Sequence, residues 1–83
     1  MALIKEERAY IHRIVLLFVQ QNPGCTAREV AVDALHGTGA ARSLQRSRAY
    51  TALRHWEQRG VVWRKRRENT DYWHYTEKVE QVP

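Results

Sequence analysis

Residues 49–62 read AYTALRHWEQRGVV and contain a change from helical to extended periodicity. At 100° per residue, Ala49, Leu53 and Trp56 lie within about 60° of one another, which predicts a helix with a core-facing stripe. Gly60 stands where helices commonly end in a left-handed residue. The residues that follow are mostly β-branched, aromatic or basic. The segment therefore predicts the last turns of a helix followed directly by a β-strand.

Two helices are predicted upstream of this segment. Apolar side chains recur at helical spacing from about residue 3 to residue 21, and the Asn-Pro-Gly sequence at 22–24 ends that helix. Thr26 and Glu29 form a capping-box pair, which marks the start of a second helix that would end near residues 36–37. The predicted core face of this second helix consists of Val30, Ala31, Ala34 and Leu35.

The third helix is expected to begin between residues 40 and 46 and to run to Arg59. Beyond it, residues 61–67 and 72–76 have the composition of strands, and residues 68–71, ENTD, have that of a turn. This turn composition does not define the register of the hairpin, so the side of the sheet on which Trp63 lies is left open. The predicted fold class is mostly α with a small β-hairpin (α+β), in a single domain of residues 1–83.

Three segments in this order resemble winged helix-turn-helix regulators, most clearly the PadR-like and MarR-like groups. Tyr50-x-x-Leu53-x-x-Trp56-x-x-x-Gly60-Val61-Val62 is similar to their recognition helix as it runs into the first wing strand. Residues 72–78 resemble the second wing strand, and residues 22–31 resemble the turn and the capped second helix. The resemblance implies a three-helix domain that binds double-stranded DNA. Its recognition helix, about 43–59, would enter the major groove, and its basic wing, 61–76, would contact the backbone or the minor groove.

Two departures from the family pattern affect these expectations. The connector between the second and third helices is longer than the usual tight turn, so the start of the recognition helix is defined only to within several residues. PadR-like and MarR-like proteins usually dimerise through further flanking helices, which this sequence does not provide. A homodimer would therefore have to use the first helix or the segment after Thr76.

Positive charge is concentrated in one part of the chain. Residues 42–67 hold nine basic side chains and one acidic one, whereas the formal net charge of all 83 residues is +5. A helix and a hairpin that concentrate positive charge in this way are typical of a surface that binds a polyanion.

The exposed face of the third helix provides the candidates for base contacts. Arg, Ser and Thr side chains match the acceptors and donors on base edges, and the N-terminal half of a recognition helix lies deepest in the groove. The predicted base contacts are Ser47, Arg48 and Thr51, with Arg46 and Tyr50 beside them, and Arg54 is a predicted phosphate contact. These residues could also be ordinary solvated positions of an amphipathic helix.

The wing provides a second group of candidate DNA contacts. These are Arg64, Lys65, Arg66, Arg67 and Asn69. Because side chains alternate along a strand, at most about two of the four consecutive cations can point away from the core on the same side. A charge run on an edge strand can alternatively serve to prevent edge-to-edge aggregation.

The aromatic residues are predicted to belong mainly to the core. Trp56 lies on the helix stripe, and Trp73 and Tyr75 alternate onto one strand face, whereas Tyr72 and His74 are expected to be more exposed. The alternative is that the aromatic rings serve as stacking platforms for single-stranded nucleic acid.

Catalytic, metal and cofactor sites are not expected. The four histidines have no Cys or carboxylate partners at ligand spacing, and no phosphate-binding loop is present. Cys25 permits no internal disulfide, which fits a reducing compartment, and a packing role is favoured over redox sensing. No apolar run is long enough to span a bilayer, and the N-terminus does not read as a signal peptide. The expectation is a cytoplasmic protein without enzymatic activity.

The sequence thus favours a small, sequence-specific transcriptional regulator that binds double-stranded DNA. Its size suggests, by analogy alone, the minimal regulators of phages and other mobile elements. The main alternative is a winged-helix interaction module that grips a protein partner within a nucleoprotein complex. RNA binding is a third hypothesis, for which no dedicated motif is present.

Overall fold

Three helices precede a two-stranded antiparallel hairpin that packs against them, in a winged-helix-like arrangement. The computed structural model describes residues 4–38 and 42–76. Helix α1 spans Lys5–Gln21, and α2 consists of an α-helical turn, Ala27–Glu29, that continues as the π-helical segment Val30–Ala34. A 3₁₀ turn, His36–Thr38, follows it. Helix α3 spans Arg42–Gln58, and the strands are β1, Val62–Arg67, and β2, Thr70–Tyr75. The predicted fold class is confirmed.

The start of α2 is fixed by the predicted capping box. The backbone N–H of Glu29 donates to Oγ1 of Thr26 at 3.1 Å, and the backbone N–H of Thr26 donates to Oε1 of Glu29 at 2.9 Å. The π-helical segment ends where the N–H of Leu35 donates to the carbonyl oxygen of Val30 at 3.2 Å. Val30, Ala31 and Leu35 are buried, which agrees with the predicted core face.

One core joins the helices to the hairpin. Its largest fully buried side chains are Trp73, Leu35, Leu53, Val15, Val19 and Val30. The stripe predicted on α3 is confirmed for Ala49 and Leu53, which are fully buried, as is Ala52 between them. Trp56 is only half-buried, and it packs on the rim of the core while its Nε1 donates to the carbonyl oxygen of His12 at 2.7 Å.

The hairpin turn is shorter than predicted. Glu68 and Asn69 alone form the loop, and both have left-handed backbone conformations, with φ of 52° and 69°. This is the geometry of a two-residue type I′ turn, whose twist matches that of the flanking strands. Thr70 and Asp71, which were predicted to lie in the turn, are therefore the first residues of β2.

The short turn sets the register and the two faces of the hairpin. Arg64 pairs with Trp73, and Lys65 pairs with Tyr72. The inner face, against the helices, carries Val62, Arg64 and Arg66 from β1 and Asp71, Trp73 and Tyr75 from β2. The outer face carries Trp63, Lys65 and Arg67 from β1 and Thr70, Tyr72 and His74 from β2. Alternation along the strands therefore divides the four consecutive cations equally between the faces.

Strand β2 lies between β1 and the loop that follows α1. The N–H of Gly24 donates to the carbonyl oxygen of Trp73 at 2.8 Å, and the N–H of Trp73 donates to that of Cys25, also at 2.8 Å. Gly24 has a φ of 82°, which a residue with a side chain rarely adopts. Gly60, with a φ of 75°, ends the turn after α3 in the left-handed conformation that was predicted. No helix in the described ranges is both long and apolar enough to cross a membrane.

Candidate nucleic-acid interface

The predicted contacts on α3 lie on three sides of the helix. Ser47, Tyr50 and Thr51 are exposed on its outer side, away from the buried alanines. Arg46 is exposed on the side that faces α2, where it lines a groove between the two helices. Arg48 is half-buried on the side that faces α1, where it lines a groove against Ile11. Ser47 and Thr51 border the same groove. The structure thus brings three of the five candidates for base contacts onto one outward face.

The groove between α2 and α3 is open, basic and about 690 Å³ in volume. Arg28 of α2 lies on one wall, and Arg42 and Arg46 of α3 lie on the other. His36 and Asp33 also line the groove. None of the three arginines forms an ion pair within the described part of the chain. Neither Arg28 nor Arg42 was among the predicted contacts. No sequence spacing connects residues of separate helices, so only the fold could reveal this cluster.

The inner face of the hairpin holds its cations in ion pairs with α3 and β2. Nε of Arg64 lies 3.0 Å from a carboxylate oxygen of Glu57, and its Nη1 lies 3.1 Å from Asp71. The same carboxylates bind Arg54, at 3.1 Å from Glu57, and Arg66, at 3.2 Å from Asp71. Three of the cations predicted to contact DNA are therefore partly neutralised within the protein.

Arg64 is the centre of this network and connects the wing to α3. Its Nη1 also donates to the hydroxyl of Tyr50 at 3.3 Å, and its Cζ lies 5.2 Å from the ring centroid of Trp73, within cation–π range. The hydrogen bond with Arg64 lowers the pKa of Tyr50 and raises the pKa of Arg64. Arg64 therefore helps to orient the wing relative to α3.

The cations on the outer face of the hairpin differ from those on the inner face. Lys65 and Arg67 are exposed, and neither forms an ion pair with a described residue. Asn69, at the tip of the turn, is also exposed. Trp63, whose side was left open by the sequence, is 46% exposed and stacks on His74, with ring centroids 4.4 Å apart and planes inclined by 16°. Tyr72 and His74, predicted to be exposed, are half-buried.

A second aromatic cluster fixes α1 to α3. The rings of His12 and His55 stack with centroids 4.1 Å apart, and Trp56 contacts His55 edge-on at 4.8 Å. Desolvation lowers the pKa of both histidines. The pKa of His12 is lowered further by the charges of His55, Arg8 and Arg59, and that of His55 by the charge of Arg59. The neutral forms of the two imidazoles are thus favoured in the folded protein.

The structure gives no arrangement typical of metal or thiol chemistry in the residues that it describes. No three His, Cys, Asp or Glu side chains among them could hold a metal ion together. Cys25 is buried, and burial raises the pKa of its thiol to about 11, with a further contribution from the charge of Glu29. A thiol with this pKa is protonated at neutral pH, which favours the packing role over redox sensing.

Comparisons of the chain with protein-family models, with curated proteins and with solved structures found no match. Its function is therefore inferred from the residues and their geometry.

Proposed function

We propose that this protein is a winged helix-turn-helix regulator, of the kind that the PadR-like and MarR-like resemblance implies, and that it binds double-stranded DNA. The observation that supports this most directly is the placement of three arginines that form no ion pair with a described residue. Arg28, Arg42 and Arg46 line one open groove beside the exposed start of α3. Cations without internal partners can attract phosphates at the least cost in lost ion pairs, and this groove adjoins the helix that would read bases.

In the proposed complex the contacts have separate roles. Ser47, Tyr50 and Thr51 on the outer side of α3 would reach base edges, and the groove arginines would hold the adjacent phosphates. Arg67 and Asn69, near the tip of the wing, would contact the backbone of a neighbouring groove. Arg54, Arg64 and Arg66 would contribute mainly by shaping the surface, because their charges are shared with Glu57 and Asp71. The protein would have no catalytic activity and need no cofactor.

Duplex binding can be tested by fluorescence anisotropy with a random-sequence duplex over a series of salt concentrations. Arg42→Ala and Arg46→Ala should each weaken binding and reduce the slope of log K against log salt by about 0.9 for one lost phosphate contact. Arg13→Ala is the matched control, because Arg13 is exposed on α1 and points away from the core. Absent or salt-independent binding, or an equal loss in Arg13→Ala, would exclude the proposal.

Recognition of a specific DNA sequence by α3 needs a separate experiment. Selection from a pool of randomised duplexes should yield a preferred site, and Ser47→Ala and Thr51→Ala should then reduce the preference for that site over random DNA by about 1–3 kcal/mol per lost base contact. If these variants weaken every duplex equally, α3 binds phosphates only, and a regulator of defined target genes is not supported.

The alternative role as a protein-interaction module is favoured by one feature of α1. Tyr10 and Leu17 are 53% and 47% exposed, and a separation of seven residues places them on the same side of the helix. A second copy of the chain, in a homodimer, or another protein could cover this stripe. Sedimentation velocity of the wild type and of Leu17→Glu distinguishes the cases. A homodimer that forms through α1 should become a monomer in the variant. If both proteins are monomers, the stripe would instead bind another protein.

A further inference from the structure

We propose that the outer face of the hairpin is a second nucleic-acid site, which binds unpaired nucleotides by stacking a base on Trp63. This goes beyond duplex binding, and it does not depend on base reading by α3. The face is defined by Trp63, Lys65 and Arg67 of β1 together with Tyr72 and His74 of β2.

Trp63 does not belong to the core formed by the described residues. Trp73 fills the core with no exposed surface, whereas Trp63 on the opposite face leaves 46% of its surface in solvent. Its parallel stacking on His74, at 4.4 Å between centroids, restrains the orientation of the indole. The result is a flat aromatic surface that is already held in one position before any ligand arrives.

The cations beside this ring point to the chemistry of the ligand. Lys65 and Arg67 follow Trp63 on the same strand face, so the three side chains are spaced at steps of about 6.6 Å. Both cations are exposed, and neither is paired with a carboxylate in the described ranges. An aromatic ring followed by free cations along one line matches a single strand, whose bases can stack while its phosphates pair with cations.

Edge protection and duplex binding would each use only part of this face. A charge run that only protects the edge of β1 from aggregation accounts for Lys65 and Arg67 but not for an exposed tryptophan. A DNA duplex would use the cations but not the ring, because the faces of its bases are covered by their neighbours in the stack. Unpaired bases are accessible in single strands, at open ends and where a duplex is separated.

The test measures binding of a fluorescein-labelled oligothymidylate by anisotropy at low salt, in parallel with the random duplex. Trp63→Ala should weaken oligothymidylate binding about 5- to 150-fold, the range expected for loss of one base stack, and Trp63→Phe should retain most of the affinity. Tyr10→Ala removes an aromatic residue of similar exposure from α1 and should change the affinity by less than about two-fold. Circular dichroism of each variant checks that it is folded.

The duplex measurements separate this site from the proposed function. Trp63→Ala should leave duplex affinity within about two-fold, and Arg46→Ala should weaken the duplex more than the single strand. Failure of the wild type to bind oligothymidylate, or equal losses in Trp63→Ala and Tyr10→Ala, would overturn the second site without affecting duplex binding. Equal displacement of the oligothymidylate by polyglutamate of matched charge would show that the face binds any polyanion, and would also overturn it.

Discussion

The inner and outer faces of the hairpin carry two basic residues each from the same run of four, and they use them differently. On the inner face, Arg64 and Arg66 lie beside Asp71, and Arg64 also reaches Glu57 of α3. On the outer face, Lys65 and Arg67 have no carboxylate partner in the described chain. A basic run in a sequence is therefore not equivalent to a basic surface, because carboxylates on other elements decide which charges stay available.

The largest expected effect separates the two tryptophans of the hairpin. Trp73→Ala should reduce the free energy of unfolding by about 3–5 kcal/mol, because it opens a cavity in the centre of the core. Trp63→Ala should cost less than about 1 kcal/mol, since that side chain is half-exposed. Urea denaturation followed by circular dichroism measures both changes. Similar losses in the two variants would show that the outer face is as structural as the inner one.

A milder substitution at the core position keeps this test informative if Trp73→Ala does not fold. Nε1 of Trp73 is buried and has no hydrogen-bond partner among the described residues. Trp73→Phe removes this unsatisfied donor as well as part of the ring, and burial of an unpaired donor costs about 1–3 kcal/mol. The variant should therefore be folded and lose clearly less stability than Trp73→Ala.

The next effect compares neighbouring cations on opposite faces. Arg64→Ala should lower the free energy of unfolding by about 1 kcal/mol, because Glu57 and Asp71 each lose an ion-pair partner. Lys65→Ala should leave stability nearly unchanged. In duplex binding the Lys65→Ala variant should show the larger effect. It should reduce the slope of log K against log salt by about 0.9 if Lys65 binds one phosphate, and Arg64→Ala should reduce that slope less. If Lys65→Ala affects neither property, the outer face does not contact duplex backbone.

The sequence predicted that the four consecutive cations would be divided between the two faces of the hairpin, but not which of them would lie on each face. Alternation along β1 allowed about two of them to share an outward face, as Lys65 and Arg67 do. Which two could not be known, because the register depends on a turn in which Glu68 takes a left-handed conformation that its side chain disfavours. The pairing of Arg64 with Glu57 was equally inaccessible, since it joins a helix to a strand. The capping box of α2 and the buried side of α3 were predictable because each depends on local spacing alone. Helix boundaries were predicted less well: the start of α3 was defined only to within several residues, and α2 ends at Ala34, before the predicted 36–37.

A smaller effect should follow from releasing a cation on the inner face. Asp71→Asn removes the carboxylate shared by Arg64 and Arg66, of which Arg66 is the more exposed. Duplex affinity at low salt should rise, and the salt slope should steepen by up to about 0.9 if the released Arg66 reaches a phosphate. Glu6→Gln provides the control, because it makes the same change in net charge at an exposed site on α1. An equal increase in both variants would mean that only the total charge matters.

The smallest expected effect is on the pH dependence of stability, and it contrasts the two contacts that α3 makes, called here its joints: one with the hairpin and one with α1. The joint with the hairpin is ionic, through Glu57 and Arg64, whereas the joint with α1 stacks two imidazoles, His12 on His55. Because burial lowers the pKa of both histidines in the folded state, the stability that they contribute is fully present above their ordinary pKa of about 6.5. It should be lost as the pH falls below that value, when protonation places positive charges beside each other and near Arg8 and Arg59.

Thermal unfolding between pH 8 and pH 5 should therefore show a decline in Tm that is reduced in His55→Gln, which removes one of the two titrating rings. Added salt provides the opposite test, because screening should weaken the ionic joint while it relieves the repulsion between protonated imidazoles. A decline in Tm on acidification that is identical in wild type and His55→Gln would show that the stacked imidazoles do not set the pH dependence of stability.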